Sequence, residues 1–224
     1  METLQLTKEM SNRIVSEIMN VPDAYLVLDA VQKALDEEQK RRLKFYNDIT
    51  GEQKVEFING EIIVHSPAQK QHGRIFFRLG HLLDIYVNRE GLGLVGGEKY
   101  MVALTRNDYE PDLCYFRKEK ADKMTDKQVL FPAPDFIVEI LSPSTAARDR
   151  GVKFRDYQAH RIEEYWIVDP ESHTVEQYHL FGDEYQLILK SAVGDIKSFV
   201  IDGFQIPIVA IFDDAENLKA IQNL

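Results

Sequence analysis

The chain has 224 residues, 44% apolar and 10% aromatic, enough for a sizeable buried core in one domain or two small ones. Its 27 basic and 37 acidic side chains give a net charge of −10, and this composition excludes disorder, a collagen-like chain and a disulfide-stapled mini-fold. A single cysteine, Cys114, forms no internal disulfide, the start METLQLTKEMSNR lacks a signal peptide's apolar core, and no stretch nears the ~20 apolar residues of a membrane helix, so a cytoplasmic protein without membrane contact is expected.

The first 45 residues read as helix, with apolar groups at Ile14, Ile18, Val27, Val31 and Leu35 ahead of the charged run DEEQKRRLK. Pro22 should divide this stretch. It is expected to be a helical extension, residues 1–45, preceding a domain over 46–224. VEFI and EIIV then flank Asn59-Gly60, the dipeptide a type I′ hairpin turn prefers. Over 71–88, Ile75, Phe76, Leu79, Leu82, Leu83 and Tyr86 recur at helical spacing, and Gly91 and Gly93 should close the helix. Strands are expected over 94–104, 112–116, 136–141 and 165–168, with a one-sided helix over 148–160 between the last two. Two later strands, 175–180 and 185–189, join through Gly182-Asp183, and Pro207 keeps FQIPIVAIF at an edge. This order predicts an α/β (α+β) fold with a central mixed sheet flanked by helices.

Charge is uneven along the chain. Residues 163–224 carry twelve acids and three bases, a net −9, which leaves 24 basic and 25 acidic side chains in residues 1–162. Within the latter, Arg148, Arg150, Lys153, Arg155 and Arg161 face only Asp149 and Asp156, a basic stripe that is either a solvated helix face or a seat for a polyanion.

The six histidines show no HExxH spacing, and GxSxG, GxGxxG and the P-loop are all missing, which argues against a zinc hydrolase, an acyl-transfer serine and the common nucleotide sites. Cys114, inside an apolar strand, reads as a small core residue rather than a nucleophile. The acids are more telling. Asp112 opens the strand DLCYF and Glu139 sits near the end of DFIVEIL, where a carboxylate is expensive unless it is paired or binds a cation. Side by side, two such strands would bring both acids to one sheet edge, a donor set that Mg²⁺ accepts. Salt bridges to Arg148 or Arg150 are the alternative. Lys153, fourteen residues after Glu139, either points at that pair or forms an i,i+4 ion pair with Asp149.

The segment PDFIVEILSPSTAARDRGVKFRDYQAHRIEEYWIVDP resembles a restriction endonuclease-like family abundant in cyanobacteria, within the PD-(D/E)XK superfamily. The motifs are Pro111-Asp112, the strand end Glu139-Ile140-Leu141-Ser142-Pro143-Ser144, Asp149 with Lys153, and Glu164-Tyr165-Trp166 with Asp169. VEFINGEIIVHSP and His72 also look like the family's first hairpin and first core helix, so the resemblance runs over 45–212. Leu141 stands where the superfamily usually has its lysine, and Lys153 is the displaced equivalent; Arg161-Ile162 stands where glycine-valine is common before EYW.

The resemblance implies a restriction endonuclease-like core and a Mg²⁺-dependent endonuclease acting on DNA, with Mn²⁺ as the alternative ion. It implies Asp112, Glu139 and the Ile140 carbonyl as metal ligands, Lys153 as charge stabiliser, and Glu56 and His72 as further members of the catalytic group. Glu56 and Glu61 could equally be exposed hairpin charges, and His72 a packing or capping residue. Arg148, Arg150 and Arg155 are candidate phosphate contacts, which position nucleic acid without reading sequence. Trp166 reads as core rather than as a base-stacking platform. Cutting both strands needs two sites, so a homodimer is expected. A second reading is a nuclease-like dimeric binding or regulatory module without turnover, favoured by the acidic last third; a substrate of RNA or branched nucleic acid is a third.

Overall fold

The computed structural model describes residues 8–50 and 53–224. Helices α1 (Lys8–Met19) and α2 (Ala24–Asp48) come first and part around Pro22, whose ring cannot continue a helix. Strands β1 (Val55–Ile58) and β2 (Glu61–Val64) form the expected hairpin, Asn59 and Gly60 both taking positive φ. Helix α3 (Lys70–Glu90) ends at Gly91 in the left-handed conformation. There follow β3 (Gly93–Gly97), β4 (Met101–Ala103), β5 (Asp108–Tyr109), β6 (Leu113–Arg117), α4 (Lys118–Ala121), β7 (Leu130–Phe131) and β8 (Phe136–Ile140). Next come α5 (Ala146–Arg148), a π-helical turn over Asp149–Lys153, and α6 (Phe154–Ala159). The chain ends with β9 (Glu164–Asp169), β10 (Thr174–Phe181), β11 (Glu184–Ser191), β12 (Asp195–Lys197), β13 (Gln205–Pro207), a 3₁₀ turn over Ile208–Ile211, and α7 (Asp214–Asn223). No helix among the described residues is long and apolar enough to cross a membrane.

A six-stranded mixed sheet, ordered β11-β10-β9-β8-β6-β3, is the centre of the molecule; β8 and β9 run parallel and its other pairs antiparallel. Because side chains alternate along a strand, β8 sends Phe136, Val138 and Ile140 to one face, where they pack with Ile75, Leu79, Leu82 and Leu83 of α3. Ile137 goes to the other, against Tyr157 of α6 and Ile58, Val102 and Tyr109 of a second sheet, ordered β2-β1-β5-β4-β7. A small third core, Phe45, Val55, Phe57 and Met101, seats the end of α2. Cys114 and Trp166 are core residues, and burial pushes the Cys114 thiol up.

Three features differ from the reading of the sequence. The single strand expected over 94–104 is two strands in different sheets, β3 and β4, because Gly97-Glu98-Lys99-Tyr100 turns the chain, with Lys99 at φ 78° and the Tyr100 ring folded back on Gly96. The helix expected over 148–160 starts at Ala146 and contains the π-helical turn. Helix α2 is continuous through residue 45, where a domain boundary was expected, since Glu38, Arg42 and Phe45 are buried in the body.

Candidate active site

Strand register brings Asp112 and Glu139 together. β6 and β8 pair antiparallel with Leu113 opposite Val138, so one further step sets Asp112 opposite Glu139, and opposed residues project from one face. Both are buried, and burial of a carboxylate requires a partner. Asp112 Oδ1 accepts from Lys54 Nζ at 2.6 Å; its Oδ2 accepts from the Ile140 N–H at 2.8 Å and lies 3.2 Å from His72 Nε2, on the first turn of α3. Burial opposes ionisation of Asp112, but the Lys54 charge and the His72 hydrogen bond hold its pKa well below the usual carboxylate range. Glu139 Oε1 accepts from Lys153 Nζ at 2.9 Å and from the Tyr157 hydroxyl at 2.7 Å. Among the described residues, neither acid pairs with Arg148 or Arg150; their cations are lysines.

Lys153 closes the π-helical turn, a wide turn often found where a helix is bent to serve a site. Its amine is buried between Glu56 Oε1 at 2.8 Å, Glu139 Oε1 at 2.9 Å and Asp149 Oδ1 at 3.4 Å, so both readings of this lysine hold together. Burial disfavours the charged amine, yet these carboxylates hold its pKa well above the ordinary value. Glu56, on β1, is fully buried, and its Oε1 also accepts the Glu110 N–H while Oε2 lies 2.9 Å from His65 Nε2; Glu61, across the hairpin, is exposed. Burial opposes its ionisation too, but Lys153 and His65 bring its pKa down to about 2. Glu139 goes the other way: burial, with Asp149 and Asp112 adding to it against Lys153, pushes it up to about 8. Asp149 is likewise raised, by burial first.

Asp112, Glu139 and Lys153 line a cleft of about 580 Å³ together with Lys54, His65, His72, Glu98, Lys99, Ile140 and the Ser142-Pro143-Ser144-Thr145 turn. His72, Asp112 and the exposed Glu98 each offer a donor atom within 4.8 Å of the others. Carboxylates with one imidazole suit a hard divalent cation such as Mg²⁺ or Mn²⁺. The buried acids Glu56, Asp112, Glu139 and Asp149 outnumber the two lysines they face, Lys54 and Lys153, with His65 and His72 as further partners, and a divalent cation would favour the ionised form of Glu139.

Asp112, Glu139, Ile140, Lys153, Glu56 and His72 are thus brought together. The three arginines expected at phosphates are not in the cleft lining: Arg150 is exposed and paired with Glu176, and Arg148 and Arg155 are half-buried on the same helical segment. That segment turns Lys153 inward and these three residues elsewhere. Lys54, His65, Glu98 and Lys99 were not singled out from the sequence. Lys54 could have been, since it lies two residues before Glu56 on the same strand face; Glu98 and Lys99 arrive through a turn between two sheets that no local pattern announces. Glu164, opening the EYW motif, is structural: it accepts from the Trp166 indole, Gln177, the Ser198 hydroxyl and the Phe199 and Val200 amides.

The sequence profile of the Uma2 family, described as a putative restriction endonuclease, matches residues 21–208. Two uncharacterized proteins of Synechocystis sp. (strain ATCC 27184 / PCC 6803 / Kazusa) are 32% and 30% identical over 146 residues, 64% of this chain and 81% and 75% of theirs. A putative nuclease belonging to DUF820 from Anabaena variabilis ATCC 29413 has a similar crystal structure, with a TM-score of 0.65 and 19% identity over 75% of this chain and 94% of that one, a likeness of fold.

Proposed function

The chain belongs to the Uma2 putative restriction endonuclease family, and from that premise we propose that it is a divalent-metal-dependent endonuclease hydrolysing DNA phosphodiester bonds in the cytoplasm. The observation that carries this reading is the buried amine of Lys153, set between Glu56 and Glu139 in the cleft that holds Asp112. Asp112 and Glu139, with the Ile140 carbonyl, would hold Mg²⁺ or Mn²⁺, and His72 and Glu98 are further donors beside Asp112. A bound cation supplies Lewis-acid polarisation of a phosphate oxygen and a water of lowered pKa. Lys153, kept charged by its acidic neighbours, offsets negative charge developing on the phosphate or orients the attacking water. Glu56 fixes the position of that amine, and His65 fixes Glu56. Lys99 in the cleft, with Arg148, Arg150 and Arg155 on its flank, would meet the DNA backbone.

A second reading, a dimeric binding module without turnover, is favoured by the Lys54–Asp112 ion pair, which already neutralises one proposed ligand. Cleavage of supercoiled plasmid with Mg²⁺ or Mn²⁺ separates the two. Wild type should nick or linearise it, and Asp112→Ala and Glu139→Ala should each lose at least ~100-fold in rate, the scale of one transition-state electrostatic contact. A wild-type protein inert with both metals would leave the binding module.

A further inference from the structure

The segment from Ser11 to Glu37 stands apart from the three cores: none of its side chains is buried, although α2 is firmly mounted further on. There, Arg42 reaches Asp108 through two hydrogen bonds of 2.6 and 2.7 Å, Arg106 does the same to Glu38, and Phe45 is sunk in the third core. From Glu38 back to Ala24 the helix therefore projects about 20 Å as a fixed strut. A loose lid would not be mounted this way.

The strut is apolar where it is unpartnered. Residues 24–28, Ala-Tyr-Leu-Val-Leu, cover every side of the helix, a pattern that belongs to a helix packed all round. Val15 and Met19 of α1 and Tyr25, Leu26, Leu28 and Val31 of α2 are all between 51% and 69% exposed. With their apolar neighbours they expose on the order of 1,000 Å² per chain summed over all sides of the hairpin, against the ~800 Å² that each partner contributes to a standard interface. Charge argues against nucleic acid or an anionic lipid surface as the cover: from Arg13 to Glu37, Glu17, Asp23, Asp29, Asp36 and Glu37 outnumber Arg13 and Lys33. Two helical hairpins related by a two-fold axis would close on each other as a four-helix bundle. We propose that α1 and the first half of α2 are the homodimer interface, with a second copy of this chain as the occupant.

Light scattering on the full chain at micromolar concentration tests this without reference to cleavage. Wild type should give twice the 25.9 kDa of one chain, Leu28→Glu/Val31→Glu should give 25.9 kDa with an unchanged circular dichroism spectrum, and Val193→Glu, exposed elsewhere, should stay dimeric. If the charged variant unfolds, Leu28→Ala/Val31→Ala keeps helix propensity and should raise the dimer Kd at least ~10-fold. A monomeric wild type, or a dimer that survives the helix variants, overturns the proposal.

Discussion

Lys153 has three buried carboxylates within 3.4 Å and is the cation they share. Removing one partner of a buried ion pair is far costlier than replacing the whole group, because charge is left in a poor solvent. Lys153→Met should therefore lower unfolding free energy by about 3–5 kcal/mol, read from the midpoint of a urea titration. A loss under 1 kcal/mol would mean that the acids reach water or protonate freely. Spacing marked Asp112, Glu139 and Lys153 as candidates, with ordinary ion pairs as the alternative, because buried strands with a carboxylate and a following basic helix are local patterns; the family resemblance then chose between the readings. Lys54 and His65 were readable from the hairpin that carries Glu56, whereas Glu98 was hidden because its approach depends on a turn between two sheets.

At the scale of elements, β10 carries Glu176 into a group with Arg150, Lys190 and the Tyr178 hydroxyl. Burial opposes its ionisation, but those partners hold its pKa at about 2 against an ordinary 4.5. A depressed carboxyl stabilises the fold fully above its unfolded value and loses that contribution as pH falls through its folded one. Glu176→Gln should thus be less stable than wild type at pH 6, and the two should converge as pH drops from about 4.5 to 2 in a series of urea titrations. The same pairing gives Arg150, a candidate phosphate contact, a structural task as well: it anchors the helical segment to the sheet. Helices and most strands were legible from period and turn chemistry. The β3–β4 break was not, since its cause is Tyr100 packing on Gly96 and stacking on Phe131, a tertiary contact.

For the whole molecule, a cation that binds only the folded chain must raise its thermal stability, by about 2.7 kcal/mol at a hundred times its Kd. Mn²⁺ at that excess should raise Tm by several degrees, and Glu98→Gln, at an exposed position, should leave the metal-free Tm unchanged while losing most of the increment. An equal rise in both proteins would place the ion elsewhere. The parallel pairing of β8 with β9 has a consequence for how the buried acidic cluster is assembled. Parallel neighbours need a crossover, and this one carries Lys153, so the amine reaches Glu139 only after the chain has been made through β9 and has closed on itself. A chain ending before the crossover lacks Asp149 and Lys153, so it holds no assembled cluster and the buried acidic group is completed last.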